Sequence, residues 1–128
     1  MTDKIAYSIH HTNFPIRDAA ATEEWYSKVF GMTKIEPTRP TTVAGVLLLT
    51  NGNFDLHFHV VEPEQVDVGM THTAVEVSDW DSFIAHLDEI GERYLDARDR
   101  GHNKSRTGSL VDPDGHRVEF THHAERSW

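Results

Sequence analysis

Ten histidines and no cysteine confine any nucleophilic or metal chemistry in this chain to imidazole, carboxylate and hydroxyl groups, and exclude a disulfide framework or thiolate site. Imidazole moves protons near neutral pH and ligates divalent metals, and carboxylates complete such sites. Position singles out a few of these side chains. His72 begins a segment in which His72, Ala74 and Glu76 share one face and Thr73, Val75 and Val77 the other, the pattern of a half-buried strand. No apolar packing explains His72 there. His11 precedes Asp18 by the same seven residues that separate His72 from Asp79.

Both aspartates open helical patterns. After Asp79, the residues Trp80, Phe83, Ile84 and Leu87 form one apolar stripe, and Gly91 supplies a left-handed stop. After Asp18, Ala21, Trp25 and Val29 recur by four with Tyr26 and Phe30 beside them, and the pattern closes at Gly31. A match of histidine, cap, stripe and stop in the same order reads as two copies of one unit.

The first copy starts with a strand over residues 5–16. Phe14 and Ile16 share a face with His10, so His11 turns to the open side of the sheet and His10 does not. Pro15 marks an edge or a bulge. A short strand over 32–36 and a loop over 37–40 follow, then an apolar strand over 42–50 that ends at the hairpin signal Asn51-Gly52. The return strand, 54–61, puts Leu56, Phe58 and Val60 toward the helix and His57 and His59 on the side of His11. Residues 62–65 end it, and a linker runs to Met70.

In the second copy, after Gly91, strands are expected over 93–97, 108–111 and 116–121, with a polar loop over 98–106 and a tight turn at Asp112-Pro113-Asp114-Gly115. Val118 and Phe120 take the helix side, leaving Arg117, Glu119 and Thr121 on the open face. Superposing the copies puts Glu119 at the position of His57. The tail 122–128 reads as frayed, with Trp128 free to dock. The fold class is therefore α+β: two tandem βαβββ modules, about 5–62 and about 71–123, in one domain spanning 1–128. Their sheets would enclose a polar cup into which His11, His57, His72 and Glu119 project.

Lys+Arg 12 against Asp+Glu 21 gives a net charge of -9, which opposes nucleic-acid and anionic-membrane binding. No apolar run approaches membrane-spanning length and the first residues lack a targeting pattern, so a soluble, cytoplasmic protein is the expectation. The cationic stretch Arg98, Arg100, Lys104 and Arg106 reads as a solvated loop, with attraction of an anionic substrate as the alternative.

Taken together, His11 with Asp18 and Trp25-Tyr26 to Phe30-Gly31, His72 with Asp79 and Gly91, and Asp112-Pro113-Asp114-Gly115 with Glu119 resemble the vicinal oxygen chelate superfamily of glyoxalases, bleomycin resistance proteins and extradiol dioxygenases. The resemblance covers almost the whole chain. It implies paired βαβββ modules and a divalent metal bound by His11, His72 and Glu119. Two imidazoles and a carboxylate on one face of an ion form the 2-His-1-carboxylate arrangement of non-haem Fe(II) oxygenases. The spacing of His57 before His72 is similar to that of the extradiol enzymes, which makes His57 an acid/base residue, with His59 the alternative, or else His57 a fourth ligand. The reading is thus a metal-dependent dioxygenase acting on a catechol with Fe(II). The alternatives are a glyoxalase- or epimerase-like lyase or isomerase with Zn(II), Ni(II), Co(II) or Mg(II), thiol transfer to an antibiotic as in fosfomycin resistance, and a non-catalytic drug binder. Tyr94 is the candidate for the tyrosine that extradiol enzymes use on substrate, and Glu76 for a partner of His72 or a rim residue. A homodimer is expected, because the modules leave a sheet edge and apolar surface uncovered.

Overall fold

The computed structural model describes residues 5–36, 45–69, 72–101 and 104–125. The expected loop 37–40, the start of the strand expected from Thr42, the end of the linker at Met70, part of the loop 98–106 and the docking of Trp128 lie outside these residues. Asp18 caps α1 (Ala19–Phe30) by accepting from the amides of Ala20 and Ala21, and Asp79 caps α2 (Trp80–Ile90) by accepting from that of Ser82. Those bonds to Ser82 hold the Asp79 carboxyl below the usual carboxylate range. Gly31 and Gly91 end the helices at φ of +67° and +74°, a conformation that a Cβ would oppose.

Around the helices the strands are β1 (His11–Ile16), β2 (Thr33–Lys34), β3 (Val46–Thr50), β4 (Asp55–Val60), β5 (Thr73–Glu76), β6 (Leu95–Arg100), β7 (Ser105–Val111) and β8 (Arg117–His123). They form two sheets of identical plan, β1-β4-β3-β2 and β5-β8-β7-β6, with the first pair of each parallel and the rest antiparallel. The duplication read from the sequence is thus a duplication of topology. On the inner face of the first sheet Ile16, Leu49, Leu56 and Phe58 meet Tyr26 and Val29 of α1. On that of the second, Leu110, Val118 and Phe120 meet Leu87 and the partly buried Trp80 and Phe83 of α2. Phe120 lies across Gly108, its partner in the β7–β8 pairing, and leaves no room for a Cβ there.

Several boundaries differ from the sequence expectation. β1 begins at His11, not at residue 5. The strand expected over 93–97 runs instead from Leu95 to Arg100, and β7 begins at Ser105, so the supposed loop 98–106 is largely a hairpin. Polar alternation there carries no apolar signal, and pairing to β7 decides it. The tail is not frayed at its start: His122 and His123 belong to β8, where the His122 Nδ1 lies 2.8 Å from the Val77 carbonyl oxygen and the His123 amide donates to Glu76.

The turn at Asp112-Pro113-Asp114-Gly115 also joins the modules. Asp112 Oδ1 accepts from the amides of Asp114 and His116, while its Oδ2 accepts from the Tyr26 hydroxyl of α1 at 2.8 Å. Asp114 accepts from the Arg17 amide and guanidinium, and His116 Nε2 lies 2.6 Å from the Pro15 carbonyl oxygen. Burial raises the Asp112 carboxyl above the usual range despite these bonds, and burial followed by the charge of Asp112 pushes the Tyr26 phenol up.

Candidate metal centre

The two parallel strand pairs, β1–β4 and β5–β8, carry the chemistry-bearing side chains on the faces turned away from the helices. In the second module β8 pairs with β5 and β7 so that Glu119 lies beside Ala74 and Ser109, and His72 immediately precedes β5. His72 Nε2 lies 3.0 Å from Glu119 Oε2. The other carboxylate oxygen accepts from the buried Thr107 hydroxyl at 2.9 Å and lies 3.7 Å from the Arg100 guanidinium. Glu119 is 12% exposed, so its charge sits where water solvates it poorly and these partners matter.

This spacing is a test of fit for a metal. Two donors held at about 2.1 Å from one ion and at right angles to each other lie about 3.0 Å apart. The His72–Glu119 separation matches that edge, with Thr107 on the carboxylate oxygen that faces away from His72. An imidazole and a carboxylate of this kind suit a divalent ion.

The first module brings together a second group. The His11 and His57 rings stack with centroids 3.7 Å apart and planes inclined by 17°. His10 turns its Nδ1 to within 2.8 Å of the His11 Nδ1. Burial, then the neighbouring His11 and His10, lower the His57 pKa. His59 Nδ1 lies 2.8 Å from the Asn13 side-chain oxygen. His11 and His72 border one cleft of about 620 Å³, between the starts of β1 and β4 and the free edge of β5. His11, His72 and Glu119 do not converge within the chain, however: among the described residues the one set of three such side chains with ligand atoms mutually within 4.8 Å is His10, His11 and His57.

His10 was expected on the opposite side from His11. That expectation fails because β1 stops at His11, and the alternation of a strand does not extend to a residue outside it. Thr107 was missed, and Arg100 was read as part of a solvated loop, with attraction of an anionic substrate only as the alternative. The pairing of Arg98 with Thr107 and of Arg100 with Ser105 puts them beside Glu119, and no residue spacing announces that register. The Glu76 carboxylate, a candidate partner of His72, binds the His123 ring at 2.7 Å and ties β5 to the end of β8. Tyr94 packs near Phe120 on the helix side, away from the cup.

With this geometry in hand, the profile of the Glyoxalase/Bleomycin resistance protein/Dioxygenase superfamily matches residues 8–120. The chain belongs to that superfamily. Among curated proteins, the metallothiol transferase FosB of Lysinibacillus sphaericus (strain C3-41) is 28% identical over 118 residues, 88% of this chain and 80% of the relative. Among solved structures, a glyoxalase family protein from Bacillus anthracis superposes with a TM-score of 0.77 at 22% identity, covering 95% of this chain and 99% of that one. The fosfomycin resistance protein FosX from Listeria monocytogenes, solved with Mn(II) and 1S,2S-dihydroxypropylphosphonic acid, superposes with a TM-score of 0.74 at 13% identity, covering 94% and 95%. These structural likenesses establish the fold. The superfamily includes enzymes that use divalent metals on small molecules, and among the described residues no helix is long and apolar enough to cross a membrane.

Proposed function

We propose that this protein is a metal-dependent enzyme of the superfamily. Its ion is held by His72 and Glu119 of one chain and by His11 of a second copy, and its substrate is a small oxygen-donor molecule bearing an anionic group. The observation that carries the reading is the His72–Glu119 pair at 3.0 Å with the Arg100 guanidinium beside it. A cation at that place, in an acidic protein, is where an anionic group bound next to the ion would rest. The second copy enters because His11 does not reach the pair within the chain, and because the segment leading into β1 exposes an alternating apolar stripe, with Ile5, Tyr7 and Ile9 at 73%, 87% and 85% exposure.

A divalent ion at this site supplies Lewis acidity to a substrate oxygen. Arg100 orients the anionic group. Thr107 holds one oxygen of Glu119 so that the other stays on the His72 side. His57, stacked on His11, takes and returns the proton, with His59 as the alternative base. Addition to a polarised carbon fits this set better than ring cleavage of a catechol, since Tyr94 lies outside the cup and the FosB relative is a thiol transferase. In such an addition the thiol sulfur bonds to carbon as the carbon–oxygen bond breaks, and the thiol proton travels by way of His57 to the departing oxygen.

Protein loaded with Mn(II) and given a thiol and an epoxide-bearing phosphonate is expected to form the thioether. That product should require the metal and fall at least about 100-fold in kcat/KM with Arg100→Ala, the loss of a charge-assisted contact at the reacting group. Ring opening of a catechol by Fe(II)-loaded protein under oxygen, without thioether formation, would overturn the proposal.

A further inference from the structure

We infer that His10, His11 and His57 of a single chain form a second metal site, made of three imidazoles and selective for Zn(II), Ni(II) or Cu(II) over Mg(II) or Mn(II). It shares with the site proposed above the ligand His11 and the proton-transfer residue His57, and includes neither His72 nor Glu119. The inference does not rest on that proposal. The three side chains place ligand atoms mutually within 4.8 Å, and two of them, the Nδ1 atoms of His10 and His11, are already 2.8 Å apart. Donors at about 2.1 Å from one ion lie about 3.0–3.4 Å apart, between the octahedral and tetrahedral limits, so these two nitrogens are already near ligand spacing and need their rings turned from each other toward a common point. His57 is stacked on His11 and can swing a ring nitrogen toward the same point.

His10 and His11 are exposed and His57 half-buried, so turning the rings costs little packing and the ion has an open path. On the far side of His10, the Asp55 carboxylate lies 3.8 Å from Nε2, too long for a hydrogen bond but close enough for its charge to favour a cation on the other ring nitrogen. An all-imidazole set prefers the borderline ions at the strong end of the divalent series. A set containing a carboxylate accepts Mn(II) and Mg(II) more readily. Because one His11 ring serves one ion at a time, occupation of the three-imidazole site excludes the same ring from a site built on His72 and Glu119.

The test uses the full-length His72→Ala/Glu119→Ala protein, its fold checked by circular dichroism, titrated with Zn(II) against a chromophoric chelator. If that pair of changes disturbs the fold, Glu119→Gln alone serves in its place, titrated in the same way. Binding of about one Zn(II) per chain is expected, with negligible affinity for Mg(II). Adding His10→Ala should weaken Zn(II) binding at least about 100-fold, since loss of a mere outer partner already costs about 10–100-fold. No Zn(II) binding by the parent variant, or binding indifferent to His10→Ala, would overturn the inference. Failure of the proposed enzyme activity leaves both readouts untouched.

Discussion

Glu119→Ala is expected to lose Mn(II) binding by at least about 100-fold and to lose metal-dependent turnover with it, while the protein stays folded. The carboxylate supplies the one anionic donor of the proposed centre, and its Oε2 is the atom turned to His72 at 3.0 Å. Folding is spared because Glu119 lies on the face away from the helices, and the Thr107 hydroxyl it releases can turn to the Phe120 carbonyl oxygen, already 3.4 Å away. The loss is read from the electron paramagnetic resonance signal of free Mn(II) during titration, next to a thermal melt. Mn(II) is the right probe because, of the first-row divalent ions, it is the one that three imidazoles hold least well. Full Mn(II) binding by a folded Glu119→Ala protein would remove Glu119 from the ligand set.

The largest expected effect on stability is at Asp112. Asp112→Ala removes the acceptor of three donors at once, the Tyr26 hydroxyl and the amides of Asp114 and His116, in a buried turn that ties the second module to α1. A cost of about 3–5 kcal/mol is expected in urea unfolding. Asp112→Asn keeps the shape and a carbonyl acceptor for the two amides, and should stay within about 1 kcal/mol of the parent. The two proteins should part with pH in a defined direction. Burial raises the folded-state pKa of Asp112, so its protonated form is favoured by folding. That contribution is fully present below the unfolded carboxylate pKa and is lost as pH rises through the folded value. The stability of Asp112→Asn relative to the parent should therefore rise as pH is raised above the unfolded carboxylate value of about 4, as seen in urea midpoints. A flat or falling difference would mean that the hydrogen bonds outweigh the burial.

That clamp also shows where the sequence stops being readable. Asp112, Asp114 and Gly115 carry the composition of a tight turn, and they do make one. The same carboxylates docked on Arg17 and Tyr26 of the other module leave no mark in local spacing, because a turn and a tertiary contact draw on the same residue types. The duplicated histidine, cap, stripe and stop were legible since each is set by local physics: pleat, capping, helical period and left-handed glycine. So were the inner faces of β4 and β8, where Leu56 and Phe58 in one and Val118 and Phe120 in the other are buried, although Val60, expected with the first pair, is exposed at the end of β4. The extent of β6 and β7 was not, because Arg98 and Arg100 are held in β6 by pairing with β7 rather than by burial of apolar side chains. His10 was misplaced for a similar reason, in that a rule about strand faces was applied past the end of the strand.

Among the candidate ligands, the sequence placed His72 and Glu119 on one face of adjacent strands, and the structure brings them to 3.0 Å. It also placed His11 and His57 together, and they stack. What local pattern could not say is whether these two half-sites meet in one chain or across two. Mixing His11→Ala protein with Glu119→Ala protein, after dissociation and reassociation, tests this most directly. If the centre is shared between copies, each mixed dimer regains one intact site, built from His11 of the Glu119→Ala chain and His72 and Glu119 of the His11→Ala chain. Mn(II) binding and turnover, absent from either protein alone, should then return in the mixture. Every chain in the mixture lacks one ligand, so a centre built within a single chain would leave it as inactive as its components, and that result would contradict the account.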